Sequence, residues 1–474
     1  MEPPFERKES EEFYMPFEQI YTDGSLEKRR SEVKELTESF RQHNLIDPAL
    51  YSRYQVKRGL RNEDGTGVVA GLTKVCNVHG YVINEGERSP VDGELVYRGI
   101  NVKDIVEGCR KENRFGFEEV AWLLLFGSLP TTAQLSHFRD ILDEYRELPT
   151  GFAEDLIMKA PSPDVMNKLG RSILGLYPYD PYADDLSLDN IMRQSIELIA
   201  RMPTIMVQAY QVKRRHFDGK SMYIHTPKNG LSTAENILRM LRADKKFEDG
   251  EAKLLDLCMM LHAEHGGGNN STFACRVLSS SGTDTYSAIS AAVGALKGPR
   301  HGGANAKVLE MFNSIKAGVS DWKNDDEIAC FLQKILEGKA GDGSGKIYGM
   351  GHAVYTKSDP RAVMLKSMAF RMAEGTEFAQ EFALMERVER LSPQVFLAHK
   401  KDTKMLCANV DMYSGLVYRM LRIPPEVFTP LFAVSRVPGW CAHRIEEIMT
   451  SGRIIRPAYK AVSRGVEYLP LAER

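Results

Sequence analysis

Histidine, aspartate and arginine side chains stand beside glycines in the second half of the chain. A histidine exchanges a proton near neutral pH, and an aspartate can accept one from carbon or oxygen. A guanidinium group binds a carboxylate through two parallel hydrogen bonds, and glycine lets the backbone approach a ligand closely. The candidates are His265 and Asn269 in HAEHGGGNNS, His301 in GPRHGGAN, His352 and Arg361 in GMGHAVYTKSDPRA, Asp411 in NVDMYSG, Arg436 in SRVPGW and Arg456 in SGRIIRP.

Each of these candidates also has a purely structural interpretation. Arg361 follows SDP and can serve the start of a helix, Asp411 can be an N-cap, and Arg436 and Arg456 can be surface charges near the end of the chain. That all of these interpretations hold together is much less favoured than one shared site. The set as a whole predicts proton transfer on a small di- or tricarboxylate.

Metal and nucleotide sites are not predicted. His262 and His265 have the spacing of one helix face, but no HExxH order accompanies them. We interpret His262 as a helical histidine bonded to a backbone carbonyl, and we expect the helix to end with His265 at Gly266. The stretch AGDGSGKI lacks the first glycine and the final hydroxyl of a phosphate loop, and no GxGxxG follows a strand.

Composition excludes several function classes. The 474 residues carry a net charge of -2, which argues against nucleic acid or an anionic membrane as the main partner. Seven scattered cysteines indicate free thiols in a reducing compartment. The acidic N-terminal sequence lacks the apolar core of a signal peptide, so we expect a cytoplasmic protein.

Helices are predicted to position these residues, and the fold class is expected to be all-α. Residues 1–60 form a charged arm containing the helical stretch SLEKRRSEVKELTESFRQH, and residues 68–100 are typical of short antiparallel strands. Thr131 and Gln134 form a capping-box pattern before an apolar stripe. A second helix begins near Leu188, and Pro203 is expected to end it.

The motifs together resemble those of the citrate synthase family. HAEHGGGNNSTF, GPRHGGAN, GMGHAVYTKSDPRA, NVDMYSG and SRVPGWCAH followed by RIIRP occur in that family's order and at about its spacing. FEEVAWLLLFGSLPT and GELVYRGI resemble its N-terminal half. The resemblance covers roughly residues 68–460, so the leading arm lies outside it.

The resemblance implies a two-domain helical fold and a homodimer. After the arm at residues 1–60, a large domain comprises residues 61–295 and 416–474, and a small mobile domain comprises residues 296–415. The active site is expected in the cleft between these domains. Arg456 is expected to reach across from the partner subunit.

The resemblance also implies the reaction, an acyl transfer that condenses acetyl-CoA with oxaloacetate and water to give citrate and CoA, without a metal or other cofactor. Asp411 is expected to be the base, His301 to hydrogen-bond the thioester oxygen as a neutral ring beside a helix N-terminus, and His352 to protonate the ketone oxygen. The oxaloacetate-binding residues are expected to be His265, Asn269, Arg361, Arg436 and Arg456. CoA contacts are expected from Arg300, Lys346, Gly349, Gly351, Lys357 and Asn409.

The sequence leaves the acyl substrate open. 2-Methylcitrate synthase uses propionyl-CoA, and one methylene group changes discrimination by only about 1–3 kcal/mol. A lyase that cleaves citryl-CoA would use the same residues in reverse. Regulation, assembly beyond a dimer and the role of residues 1–60 are likewise open.

Overall fold

The computed structural model describes residues 25–62, 65–85, 87–400, 406–450, 452–463 and 465–474. The chain divides into two compact units, Met1–Val69 and Ala70–Arg474. In the first unit, helix α1 confirms the predicted helical stretch, and a short helix α2 follows it. The division of the second unit into a large and a small mobile domain stays a prediction.

The expected all-α fold is confirmed, since 58% of the residues are helical and 6% are in strands. Among the described residues, none of the helices combines the length and apolar composition needed to cross a bilayer. The helices are α1 (Ser25–Asn44), α2 (Ala49–Arg53), α3 (Val102–Lys111), α4 (Phe117–Phe126), α5 (Thr132–Tyr145), α6 (Val165–Leu174), α7 (Leu188–His216), α8 (Thr233–Leu241), α9 (Asp249–His262), α10 (Asn270–Ser279), α11 (Thr285–Lys297), α12 (Ala304–Gly318), α13 (Asp325–Leu336), α14 (Pro360–Ala373), α15 (Ala379–Lys400), α16 (Asp411–Met420) and α17 (Phe428–Thr450).

A small antiparallel sheet precedes these helices, as the sequence of residues 68–100 predicts. Its strands are β1 (Cys76–Asn84), β2 (Glu87–Tyr97) and β3 (Ile100–Asn101), in the order β1-β2-β3. The register pairs Cys76 with Tyr97 and shifts between His79 and Tyr81. The hairpin formed by β1 and β2 therefore twists locally at Gly80, next to a loop of the candidate site.

Helix starts follow local capping chemistry, whereas one helix end does not. Thr131 and Gln134 make both hydrogen bonds of the predicted capping box at the start of α5. The prediction that Pro203 ends α7 is wrong, because α7 continues to His216. Pro203 lies in a fully buried run of the helix that packs against α5 and α17. Burial of this long apolar face outweighs the cost of the missing proline N–H.

Helix α17 lies at the centre of the second unit. It packs against α7, α10 and α11, and most of its residues are buried. Arg436, Gly439 and His443 follow each other on one face of α17, because residues three, four and seven apart are neighbours on a helix. This buried face forms the floor of the candidate site.

Candidate active site

Arg436 presents unpaired donors in the interior of the protein. The residue is 0% exposed, and its Nε donates to the carbonyl oxygen of His262. Both Nη1 and Nη2 are buried, and neither has a hydrogen-bond partner among the described residues. Burying unpaired donors of a charged group is costly, so these atoms are poised for an acidic ligand.

His265 provides another unpaired atom in the same region. Its Nε2 is buried without a partner among the described residues, and its ring lies 5.0 Å from the ring of His352, centroid to centroid. Burial, followed by the charge of Arg361, holds the pKa of His265 well below its usual range. The ring is therefore neutral at physiological pH and can exchange hydrogen bonds with a ligand.

Arg361 is held by an aspartate two residues before it. Asp359 is the N-cap of α14, and its carboxylate also accepts from Arg361 Nε at 3.0 Å and Nη2 at 2.8 Å. Both residues are buried, and although burial lowers the pKa of Arg361, Asp359 raises it above its usual range. Nη1 of Arg361 takes no part in this ion pair. Asp359, rather than Arg361, thus serves the helix start.

His352 is oriented by backbone amides. The N–H groups of Val354 and Tyr355 both donate to its Nδ1, each at 3.1 Å. A nitrogen that accepts two N–H bonds carries no proton, so this pattern assigns the ring proton to Nε2. The ring also stacks on Tyr355 with centroids 4.7 Å apart. His352 is thus a fixed donor through Nε2.

The β hairpin supports the loop that carries His352. Tyr355 Oη donates to the carbonyl oxygen of Glu94 at 3.2 Å, and the N–H of Gly93 donates to Ser358 Oγ at 3.1 Å. A Cβ atom at Gly93 would overlap the carbonyl oxygen of Ser358 and the ring of Tyr355. Glycine is required at position 93 because strand β2 lies directly against this loop.

His301 faces the N-terminus of α10. Its Nε2 lies 3.1 Å from Asn269 Oδ1, 3.0 Å from Ser271 Oγ and 3.4 Å from the Ser271 N–H. Ser271 Oγ in turn accepts from Trp440 Nε1 at 3.2 Å. Burial, with a further contribution from Arg436, lowers the pKa of His301 to about 4. The ring is thus neutral at physiological pH and lies beside the N-terminus of α10, but burial and Arg436, rather than the expected helix N-terminus, lower its pKa.

Asp411 is a desolvated carboxylate in the first turn of α16. Burial is the main cause that raises its pKa to about 6, and Arg361 opposes this shift. Its Oδ1 is buried and has no hydrogen-bond partner among the described residues, and Val410 rather than Asp411 occupies the N-cap position. Asp411 therefore has the environment of a proton acceptor and not of a helix cap.

Asn409 joins the glycine-rich loop to Asp411. Its Nδ2 donates to the Gly351 carbonyl oxygen at 2.8 Å, and its Oδ1 accepts from the Asp411 N–H at 3.0 Å. Gly349 and Gly351 have φ values of 82° and 89°, which favour glycine. The CoA contacts expected of these three residues stay predictions.

The glycines after His301 serve the local turn. The N–H of Gly302 donates to the Leu296 carbonyl oxygen at 2.9 Å, and a Cβ atom at Gly302 would lie only 2.7 Å from that oxygen. Gly303 is the N-cap residue of α12. These glycines thus allow the backbone of the turn to lie close to the end of α11. The turn places His301 between α11 and α12.

Four predicted ligand contacts lie on the surface. Arg456, Arg300, Lys346 and Lys357 are exposed. Lys357 Nζ forms an ion pair with Asp92 at 2.8 Å on strand β2. The interpretation of Arg456 as a residue donated to a partner's site stays a prediction.

The two histidines of HAEH behave differently. His262 Nδ1 lies 2.7 Å from the Cys258 carbonyl oxygen, which confirms its interpretation as a backbone-bonded helical histidine. The expected helix end at Gly266 is wrong, because α9 ends at His262. Gly266, with a φ of 88°, lies in the loop, and its N–H donates to Glu264 Oε1. This hydrogen bond closes a local turn between Glu264 and Gly266, after the end of α9.

Several supporting residues were missed from the sequence. Each sits inside or beside a quoted motif, but the direction of a side chain is not readable from spacing alone. The ring of Phe432 lies 6.5 Å from the ring of His301 and 4.8 Å from Arg436 Cζ. The only feature of the sequence that could have indicated Phe432 is its spacing of one helical turn from Arg436. The missed residues are Glu264, Ser271, Asp359, Phe432, Trp440 and His443.

The comparisons with known proteins identify the family. The model described as "Citrate synthase, C-terminal domain" matches residues 64–458, most of the chain. The chain belongs to the citrate synthase family. The resemblance over residues 68–460 is thereby confirmed, and this family indicates a transferase-type enzyme.

Curated members of the citrate synthase family resemble the chain along most of its length. A citrate synthase of Synechocystis is 33% identical over 411 residues, covering 86% of this chain and 92% of that relative. A 2-methylcitrate synthase 1 of Corynebacterium glutamicum is 34% identical over 437 residues, covering 89% and 99%. The two activities are thus represented at nearly equal identity.

A solved citrate synthase has the same fold. The enzyme of Thermoplasma acidophilum, in a ternary complex with carboxymethyl coenzyme A and oxaloacetate, gives a TM-score of 0.73 at 27% identity. The match covers 88% of this chain and 99% of that one.

Proposed function

We propose that the protein is a citrate synthase that condenses acetyl-CoA with oxaloacetate and water to give citrate and CoA. The observation that carries this proposal is the gathering of unpaired buried atoms in one region. His265 Nε2, Asp411 Oδ1 and both terminal nitrogens of Arg436 lack partners among the described residues. The unpaired oxygen of Asp411 can accept a proton from carbon, and the unpaired nitrogens of Arg436 can donate to a substrate carboxylate.

The first step is removal of a methyl proton from the thioester. Asp411 accepts this proton, because a carboxylate with a pKa of about 6 is a stronger base than an exposed one and is still ionised at neutral pH. The neutral ring of His301 donates a hydrogen bond to the thioester oxygen as charge develops there. The product of this step is the bound enolate, whose oxygen accepts the hydrogen bond from His301.

The second step forms the carbon–carbon bond. The enolate carbon attacks the ketone carbon of oxaloacetate, and His352 Nε2 gives its proton to the ketone oxygen. The backbone bonds to Nδ1 keep the donor atom fixed. Arg361 and Arg436 bind the carboxylates, with His265 and Asn269 beside them and Arg456 from the partner subunit. The ion pair with Asp359 orients Arg361 for this role.

The last step is hydrolysis of the citryl thioester. Water adds to the thioester carbon and gives a proton back to His352, the C–S bond breaks, and the sulfur takes the proton held by Asp411 and leaves as CoA. Arg300, Lys346, Gly349, Gly351, Lys357 and Asn409 contact CoA, which is a substrate and not a resident cofactor. Movement of the small domain, residues 296–415, excludes water until the bond to oxaloacetate has formed.

The competing function is 2-methylcitrate synthesis from propionyl-CoA. It is favoured by the 34% identity to a 2-methylcitrate synthase, which slightly exceeds the identity to the citrate synthases. CoA release by the purified protein with oxaloacetate and each thioester discriminates the two. We expect a higher kcat/KM for acetyl-CoA, and a higher value for propionyl-CoA would select the alternative. Cleavage of citryl-CoA without condensation would instead indicate the lyase.

A homodimer in the cytoplasm completes the proposal. The dimer is supported by the exposed position of Arg456, which is available to a neighbouring subunit. The cytoplasmic location rests on the cysteine composition.

A further inference from the structure

Glu264 is a buried carboxylate for which the proposed mechanism has no use. It is 0% exposed and directly precedes His265. Its Oε1 accepts from the N–H of Gly266 and from His443 Nε2 at 2.9 Å, whereas its Oε2 is buried without a hydrogen-bond partner among the described residues. One carboxylate oxygen is therefore hydrogen-bonded and the other is not. Burying an unpaired charged oxygen costs free energy of folding.

The unpaired oxygen lies close to Arg436. A Cβ atom at Gly439 would overlap Glu264 Oε2, so this oxygen occupies the place of the missing side chain. Gly439 is one turn after Arg436 on the same face of α17. Burial raises the pKa of Glu264, but His443 and then Arg436 hold it below its usual range, so the carboxylate is ionised. Glu264 is also the charge that most strongly opposes the lowering of the pKa of Arg436 by burial.

Glu264 Oε2 and the Arg436 guanidinium group do not hydrogen-bond to each other, although their opposite charges attract. Neither terminal nitrogen of Arg436 has a hydrogen-bond partner in the described part of the chain, and neither does Glu264 Oε2. The carboxylate is restrained through its other oxygen. The restraint must be strong enough to keep a buried ion pair from closing.

His443 supplies this restraint and is itself fixed. Its Nδ1 accepts from Arg276 Nε at 3.1 Å and Nη2 at 2.7 Å, which assigns the ring proton to Nε2, facing Glu264. Arg276 is anchored by Glu447 at 2.7 Å and by Glu446. These bonds connect α10 to α17. The network also reaches the segment before strand β1, because Glu446 Oε1 accepts from the Lys74 N–H at 2.7 Å.

We propose that Glu264 is a built-in counter-ion that competes with the substrate carboxylate for Arg436, and that His443 is a positioning residue that limits this competition. The inference rests on the proposed function for the identity of the ligand as a keto dicarboxylate. With the ligand absent, Glu264 balances the charge of Arg436 at a distance. With the ligand bound, its negative charge opposes the ligand, which prevents overly tight binding of the tricarboxylate product and favours its release.

Two substitutions have opposite expected effects on oxaloacetate binding. Glu264→Gln keeps an acceptor for Gly266 and His443 but removes the charge, so we expect the Kd of oxaloacetate to fall about tenfold. KM for oxaloacetate and kcat should fall together, because product release slows. His443→Leu frees Glu264 to close on Arg436, so the Kd should rise about tenfold. His443→Gln, which can donate to Glu264, should restore most of the affinity that His443→Leu loses.

Titration calorimetry with oxaloacetate on the full chain provides the measurement. Glu118→Gln is the matched control, because Glu118 is also 0% exposed and accepts a backbone N–H, from Thr233 at 2.7 Å. This variant should lower the Tm and leave the Kd unchanged. An unchanged or raised Kd in Glu264→Gln would overturn the inference, as would an equal fall in Glu118→Gln. If the wild-type chain itself does not bind oxaloacetate, the proposed function fails instead.

Discussion

Individual side chains in the site are set apart by their environments. Asp411 and His301 are both partly buried, and burial raises the pKa of the acid to about 6 and lowers that of the imidazole to about 4. Both shifts disfavour the charged form. Above pH 6 the carboxyl group is mainly ionised while the imidazole stays neutral, so a carboxylate and an uncharged donor are present in the same pH range.

The pH dependence of the reaction should follow Asp411. The raised pKa means that the carboxyl group is protonated, and inactive as a base, below pH 6. We expect kcat/KM for the thioester to be level above pH 7 and to fall to about a tenth of that level at pH 5. His301 does not contribute in this range, because it stays neutral. An acid limb centred near pH 4 would contradict the desolvated state of Asp411.

Asp359 should affect binding of the keto acid through Arg361. Asp359→Asn removes the ion pair that orients this arginine, so we expect KM for oxaloacetate to rise about tenfold, with a smaller effect on kcat. Asp180→Asn is the control, since Asp180 forms a similar pair with Arg193 at 2.8 Å. This control should lower the Tm and spare KM. Equal effects on KM would indicate general destabilisation.

The side chains that contact substrate in our proposal could be predicted from the sequence. The residues that hold these side chains in position could not. Motifs quoted for His265 and Arg436 contain Glu264 and His443, but contacts between distant segments depend on helix packing, which residue spacing does not give. The end of α9 and the passage of α7 through Pro203 were mistaken for the same reason. Local capping chemistry was readable at α5, whereas burial of a long helix face was not.

Secondary-structure elements position the site from both sides. Helix α17 brings Phe432 and Arg436 to its floor, and the hairpin of β1 and β2 supports the loop from His352 to Ser358. The hairpin contributes no predicted substrate contact. Its close packing at Gly93 supports the loop of His352, which is the general acid in our proposal.

The substitution Gly93→Ala tests this support. The added methyl group would overlap the carbonyl oxygen of Ser358 and must displace the loop. We expect kcat to fall about 10²-fold, because small misplacement of a catalytic group is costly, while the Tm falls by only a few degrees. Gly108→Ala in α3 is the control, since its Cβ meets no atom within 4 Å. Full activity of Gly93→Ala would show that the hairpin does not position His352.

At the scale of the whole molecule, Arg456 determines whether the site is complete in one chain. The residue is exposed in the single chain, in the extended segment after α17, near the Ile455 N–H that donates to Ser280 Oγ at 3.0 Å. If the partner subunit supplies Arg456, every site combines residues of two chains.

Mixing two inactive variants tests the shared site. Asp411→Asn and Arg456→Leu should each be inactive as homodimers. A mixed dimer contains one site in which both residues are intact, so random assembly should recover about a quarter of the wild-type activity. Recovery of none would show that Arg456 acts within its own chain, and an active Arg456→Leu homodimer would show that Arg456 has no part in the site. Size-exclusion chromatography of the mixture verifies that dimers form.

The most direct test of the whole account is the rate of CoA release from acetyl-CoA and oxaloacetate by the wild-type chain and by Asp411→Asn at pH 8. We predict that the wild type forms citrate and CoA in equal amounts. The variant should be slower by about 10³-fold while still binding oxaloacetate, because only the base is lost. Absence of condensation in the wild type, or near-normal turnover by the variant, would contradict the account.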